Sequence, residues 1–302
     1  MEFPIAGVTV SPVLLAAIGF VVGLLGGFFG VGGGFLAGPA MLFLGVPANF
    51  VVGTDLAHMT GKSIVAAKRH RALGHIDLKL GALMIAGTVV GIELGAQVIE
   101  KLESYSPIVL DRFLNIFFIV LLLVISIFMF WEGLRSTRKL SDQTLSAKQA
   151  SRFEMVTHRI QTVRIPPMIR LPDSGIESIS LWLILLVGFV TGILAGMLGV
   201  GGGIIRMPAL IYILGVPTHV AVGTDLFEIV FSAGFGTLTH AIKGNVDVLM
   251  ALVMQTGAAI GAQIGAQATR YVSGPRLRLA FAFLPMIGVL LLVYRAFSGM
   301  VI

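Results

Sequence analysis

The chain of 302 residues contains no cysteine, which excludes disulfides, thiolate metal sites and thiol redox motifs at the outset. Charge is also scarce. Asp, Glu, Lys and Arg make up 12% of the residues against 56% hydrophobic, and the mean hydropathy is +0.97. A water-soluble domain carries about twice that share of charge, so the apolar residues here face lipid or other helices rather than a soluble core. The stretch Met1 to Pro12 lacks the basic start of a cleavable signal peptide, and the first apolar run is expected to remain in the mature protein. The net charge of +6 is not spread as a nucleic-acid footprint, because Lys and Arg collect in particular loops, as membrane orientation requires. Membrane lipid, not nucleic acid, is the expected surrounding.

Apolar runs of spanning length are abundant. A membrane helix needs roughly 20 apolar residues, and such runs extend from Ser11 to Phe28, Phe50 to Ala67, Gly81 to Ile99, Leu114 to Trp131, Leu181 to Leu198, His219 to Ala241, Val248 to Ala268 and Leu279 to Ala296. Two shorter runs, Phe35 to Gly45 and Ile204 to Leu214, are too brief to span alone.

The runs belong to an internal repeat. Gly30-Val31-Gly32-Gly33-Gly34 returns 169 positions later as Gly199-Val200-Gly201-Gly202-Gly203, and Pro39 returns as Pro208. After one inserted residue the offset is 170: Gly45-Val46-Pro47 matches Gly215-Val216-Pro217, and Val52-Gly53-Thr54-Asp55 matches Val222-Gly223-Thr224-Asp225. The match continues through His70/His240, Gly74/Gly244, Asp77/Asp247 and the ladders Gly87, Gly91, Gly95 and Gly257, Gly261, Gly265. Counting each short run as a crossing gives five segments per copy, and an odd number inserts the second copy upside down.

Loop charges agree with inversion. Lys68, Arg69, Arg71 and Lys79 follow the third segment of the first copy, where the second copy has only Lys243; after the fourth segment the bias reverses, with Lys101 and Arg112 against Arg270, Arg276 and Arg278. The expected fold is therefore all-α and polytopic, with about ten hydrophobic segments as two inverted five-segment repeats. The alternative is eight spans with two re-entrant hairpins. Residues 1–131 form the first repeat, 132–177 a basic cytoplasmic linker and 178–302 the second repeat, in the cell inner membrane with both termini periplasmic. Within the linker, Pro166-Pro167 rules out a helix interior. A tether, a regulatory segment and a partner-binding segment all fit it, and a homo-oligomer stays open.

The glycine-rich runs supply backbone able to leave helical geometry, tolerated at membrane depth only inside protein or beside a cavity. A dinucleotide fingerprint is excluded, because a membrane span and not a strand precedes the run. A short helix beginning at each run presents unpaired amides and the positive end of its dipole, an anion site. The other reading is that the glycines allow close helix packing. Candidate substrate-binding residues are Gly30, Gly32, Gly33, Gly34, Thr54, Lys62, Gly199, Gly201, Gly202, Gly203, Arg206 and Thr224.

Ionisable groups within a span are functional candidates. Asp55, His58 and Lys62 share one helix face through spacings of three and four, and the second copy reads Asp225, Glu228 and Ser232 there. Asp55, Asp225, His58 and Glu228 are the candidates for proton or ion coupling. Glu93 and the paired Gln97 and Gln267 add polar atoms to the fourth segments. A fixed ion pair with the cations is the competing role for the aspartates, and His70, His75 and His240 read as interfacial. No histidine and carboxylate set has metal-ligand spacing and no serine has an adjacent base, so neither metal, cofactor nor enzyme is expected.

The paired Gly-Val-Gly-Gly-Gly runs, each followed by Pro39 or Pro208, then Gly-Val-Pro, Val-Gly-Thr and Gly-x-x-Asp (Gly74 to Asp77, Gly244 to Asp247), resemble the TauE/SafE family of sulfite exporters over nearly the whole chain outside the linker. The resemblance implies a proton-linked or passive carrier of sulfite, sulfoacetate or related sulfur oxyanions, whose partner is a small anionic solute. Where the family tends to have Ser after Gly-Thr, this chain has Asp55 and Asp225, a departure that favours coupling to a cation or a different solute. The residues alone leave open a cation carrier built on Asp55, Glu93, Asp225 and Glu228, and an intramembrane enzyme or scaffold.

Overall fold

A computed structural model describes residues 1–141, 165–199 and 201–297. The protein is all-α apart from two short hairpins. In the first copy, β1 (Glu2–Phe3) and β2 (Val8–Thr9) precede α1 (Pro12–Phe29), α2 (Gly34–Phe43), α3 (Ala48–Ala72), α4 (Leu78–Tyr105) and α5 (Pro107–Ser141). In the second, β3 (Met168–Leu171) and β4 (Ile176–Ser180) precede α6 (Leu181–Leu198), α7 (Gly203–Pro208), α8 (Thr218–Ile242), α9 (Val248–Ala268) and α10 (Gly274–Phe297). Among the described residues, six helices are long and apolar enough to cross a membrane, namely α1, α4, α5, α6, α8 and α9.

Two of the long apolar runs fall outside those six. The Phe50 to Ala67 run lies within α3 and itself holds Asp55, His58 and Lys62, to which the helix adds Lys68, Arg69, His70 and Arg71; the first three are buried, so neighbouring helices and not lipid surround them. The last run lies in α10, which carries Pro285 in its interior. The expected boundaries at 131 and 177 also differ from the observed elements. Helix α5 continues past Trp131 to Ser141, and Met168 to Ser180 fold as a hairpin that leads directly into α6. The basic linker positions Lys148, Arg152, Arg159 and Arg164 lie outside the described residues.

The hairpins are part of the repeat. Asp77 caps α4 through Oδ1, which accepts from Leu80 N–H at 2.9 Å, while Oδ2 accepts from Ser174 in the β3–β4 turn at 2.6 Å. Asp247 does the same for α9, accepting from Met250 N–H at 2.9 Å and from Ala6 N–H in the β1–β2 turn at 3.1 Å. Each Gly-x-x-Asp motif is thus an N-cap whose second oxygen ties down the hairpin of the other copy.

The glycine ladders set helix direction. Gly19, Gly23 and Gly27 of α1 abut Met254, Ala258 and Ala262 of α9, and Gly257, Gly261 and Gly265 abut Ala16, Phe20 and Leu24, so α1 and α9 run parallel. In the same way Gly87, Gly91 and Gly95 of α4 abut Leu185, Phe189 and Ile193 of α6, and Gly188, Gly192 and Gly196 abut Met84, Thr88 and Ile92. Removing side chains on both sides lets the backbones approach to van der Waals contact, the source of helix association where lipid offers no hydrophobic drive. Between these pairs α3 and α8 lie antiparallel: Gly53 meets Asn245, Leu56 meets Gly236, and Gly223 meets His75. Helices α5 and α10 pack together, and α2 packs on α10 and α3.

A methyl at Gly261 has no room, since it would stand 2.7 Å from Leu24 N and closer still to Phe20 O, whereas one at Gly234 would meet only Thr60 at 3.7 Å. Gly261→Ala is expected to cost about 1–3 kcal/mol by overpacking and Gly234→Ala close to nothing, checked as melting temperatures in detergent.

Candidate functional site

Two helices begin in the interior, and their starts face each other. Helix α1 ends at Gly30 with φ 80°, and α2 begins after Gly33 with φ 79° and no side-chain cap. Helix α6 ends at Gly199 with φ 71°, and α7 begins after Gly202 with φ 73°, again uncapped. These left-handed conformations are open to glycine and strained for a residue with a β-carbon. The runs touch. Gly203 packs on Val31, and Gly32 and Gly201 both pack on the same two side chains, Met59 of α3 and Ile229 of α8, which are repeat equivalents. The shared contacts bring both runs to the same pair of interior side chains.

Each start carries a buried cation. A β-carbon at Gly33 would stand 3.2 Å from Lys62 Nζ, and one at Gly202 would stand 2.7 Å from Arg206 Nη2. Lys62 is 2% exposed and Arg206 0%. They reach equivalent places from different helices, since Lys62 belongs to α3 and Arg206 to α7, where the copies have Ser232 and Ala37 respectively.

In the first copy the cation bonds a histidine that stands beside a carboxylate. Lys62 Nζ donates to His58 Nε2 at 3.0 Å, so the histidine proton lies on Nδ1, 3.1 Å from Asp55 Oδ1. Neither Asp55 oxygen has a hydrogen bond among the described residues. In the second copy Arg206 Nη1 donates to Asp225 Oδ1 at 2.9 Å and also to Glu228 Oε2, while Nε donates to Thr191 Oγ1 at 3.2 Å. Ser232 Oγ donates to the same Glu228 oxygen at 3.0 Å. Arg206 Nη2, Asp225 Oδ2 and Glu228 Oε1 are buried without hydrogen-bond partners among the described residues. Asp225 Oδ2 lies against the start of α7, 2.8 Å from where a β-carbon of Gly203 would be.

The structure also separates residues that the sequence groups together. Thr54 and Thr224 are buried, but their hydroxyls accept from Asp247 N–H at 3.0 Å and Asp77 N–H at 2.9 Å, which fastens the caps of α9 and α4. Glu93 and Gln97 bond each other on α4, and Gln267 bonds Arg69, all away from the two cations. The two cation clusters are not joined by any hydrogen bond or ion pair described here; Met59 and Ile229 lie against both glycine runs between them. Thr191 escaped notice because its equivalent is Val22, which is apolar.

Charged groups buried inside a multi-pass α-helical membrane protein mark a functional site, and the relatives say of what class. The chain belongs to the sulfite exporter TauE/SafE family, whose model matches residues 15–292. It is 26% identical to the probable membrane transporter protein YunE of Bacillus subtilis (strain 168), covering 86% of this chain and 89% of YunE. It is 25% identical to the probable membrane transporter protein YdhB of the same organism, covering 93% of this chain and all of YdhB. Sulfite exporter TauE/SafE family protein 3 of Arabidopsis thaliana is 28% identical over 30% of this chain and 19% of its own length. No solved structure matches the chain significantly.

Arg206→Gln leaves Asp225 and Glu228 buried without their cation and is expected to cost about 3–5 kcal/mol. A second substitution, Glu228→Gln, should recover much of that loss in thermal melts; an Arg206→Gln protein as stable as the parent would show that the carboxylates do not depend on it.

Proposed function

We propose that the chain is a secondary transporter moving a small anion, sulfite or a related sulfur oxyanion or organosulfonate, across the cell inner membrane with a proton coupled to it. The observation that carries this reading is Lys62 beside the start of α2. A helix start already concentrates partial positive charge and unpaired amides, and a buried ammonium there adds to that charge instead of balancing it. An anion seated between Lys62 and the amides of Gly33 and Gly34 compensates both. The family description supports a sulfur oxyanion as the solute.

Coupling follows from the second cluster. Asp225 lies at the start of α7, where a solute anion would compete with it for Arg206 and for the helix end. A proton on Asp225 or Glu228 releases the guanidinium, so proton and anion enter together. His58, between Lys62 and Asp55, offers a second proton carrier on the other side. Inverted five-segment repeats are supported by the antiparallel α3 and α8 and by the parallel pairing of α1 with α9 and α4 with α6. The basic face holding Lys68, Arg69, Arg71, Lys79 and Arg170 is cytoplasmic on this reading, and the N-terminus is periplasmic. Because every charged group of the site is buried, transport needs the copies to move against each other and open one face at a time. A cation-coupled carrier is the second reading, favoured by one observation: Arg206 faces two carboxylates, so that cluster stays negative when all three are ionised.

Sulfite flux into proteoliposomes at imposed pH gradients tests the proposal. Lys62→Gln should lower flux about 30-fold or more, the loss that follows removal of one partner of a buried charge pair, and Asp225→Asn should retain flux but lose its response to the gradient. Wild-type coupling in Asp225→Asn would refute its role. Sulfite is expected to raise the melting temperature and sodium to leave it unchanged, since a ligand stabilises the state it binds; the reverse result moves the assignment to the cation reading.

A further inference from the structure

The two ends of the α3/α8 pair share one plan and differ in chemistry. At one end the start of α3 meets the turn after α8. Asn49 Nδ2 donates to Glu103 Oε1 at 2.8 Å and to Asn245 Oδ1 at 3.1 Å, Asn245 Nδ2 reaches Glu103 Oε2 at 3.4 Å, and the Asn245 backbone presses on Gly53. At the other end the start of α8 meets the turn after α3. There the repeat has His219 in place of Asn49, His75 in place of Asn245 and Ser273 in place of Glu103. The rings of His70, His75 and His219 form a row with centroids 5.4 and 5.2 Å apart, and the His75 backbone presses on Gly223.

Hydrogen bonds fix the proton positions in this row. Carbonyls only accept, so His70 Nε2–H donates to Gly27 O and His219 Nε2–H to Val272 O, each at 3.0 Å. Neutral His70 therefore accepts at Nδ1, and His75 supplies the Nδ1–H that reaches it across 3.2 Å. A further proton on His70 sets donor against donor. One on His75 Nε2 puts a cation between two rings.

The charged groups on the surrounding elements are Lys68, Arg69 and Arg71 of α3, Lys79 of α4, Arg170, Asp173 and Glu177 of the β3–β4 hairpin, Arg270 after α9 and Arg276 of α10. Arg69 is held by Gln267, and Arg270 stacks on Tyr271. Asp77, in the same turn as His75, has both oxygens engaged by Leu80 and Ser174. Among the described residues no carboxylate forms an ion pair with any of the three histidines. Burial first, and then the neighbouring His219, push the His75 imidazole below the ordinary histidine range.

We propose that His70, His75 and His219 are a proton-binding latch that holds one face of the protein closed while neutral and releases it when protonated, whereas at the opposite face, where His240 bonds Gly196 O, the contact is made by Asn49, Asn245 and Glu103. The proposal rests on the carrier reading only in naming this closure as one of two gates. The sign follows from linkage. Rings kept neutral when packed and free to charge when apart bind more protons in the open state, so closure weakens as pH falls through about 6.5.

The chain has no cysteine, so Ala66→Cys, buried on α3 one turn before His70, introduces a single thiol. Its alkylation rate by a polar maleimide in detergent is measured at pH 7.5 and 5.5. Dividing by the rate of the same reporter in a His75→Asn/His219→Asn background cancels the thiol's own titration. The ratio is expected to rise about threefold or more on acidification; an unchanged ratio overturns the latch. Should the double variant fail to fold, His75→Asn alone serves as the reference, with the same two outcomes. Opening needs no solute in this assay, so a pH-dependent ratio without anion flux refutes the carrier and keeps the latch, and anion flux with a flat ratio does the opposite.

Discussion

The structure depends on how charge can be kept away from both water and lipid. An isolated charge in a low-dielectric interior is too costly to persist, so each buried ion needs an opposite charge, a hydrogen-bonding shell or the end of a helix. This protein uses all three around two interruptions of its helices. Arg206 is held by two carboxylates and a threonine, and Lys62 by a histidine that leans on Asp55. Neither arrangement survives alone, because the broken backbone beside it exposes amides that lipid cannot satisfy. The apolar shell of α1, α4, α6 and α9 is therefore a condition of the site and not merely its container.

Glycine serves two separate ends in that shell. In the ladders it is simply the smallest residue, and the parallel helices close on each other because each offers glycines to the backbone of the other. In the two runs it is the residue that tolerates positive φ, and the chain reverses there without strain. The first use makes pairs that each combine a helix from either copy; the second lets the broken backbones of the two copies meet at Met59 and Ile229.

The repeat is a twofold plan filled asymmetrically. Asp55 and Asp225 keep the same place, but His58 faces Glu228, Lys62 faces Ser232, and Arg206 faces Ala37. One half-site is consequently balanced by a single carboxylate and the other carries an excess of one. The same contrast appears at the ends of α3 and α8, where Asn49, Asn245 and Glu103 at one end correspond to His219, His75 and Ser273 at the other, each beside one of the paired residues His240 and His70.

From the sequence alone, the membrane class, the duplicated unit and the polar face of α3 could all be read, because hydropathy, periodicity and repetition are properties of residue order. The family followed from the ordered motifs. What the fold alone decided is which residues meet. Asp77 and Asp247 became caps tied to hairpins because Ser174 and Ala6 arrive from the other copy, and Thr54 and Thr224 were drawn to those caps. Likewise, Arg206 and Glu228, 22 positions apart and on different helices, became partners only through the packing of α7 on α8. Contacts between distant segments depend on three-dimensional closeness, and no pattern along the chain encodes that distance.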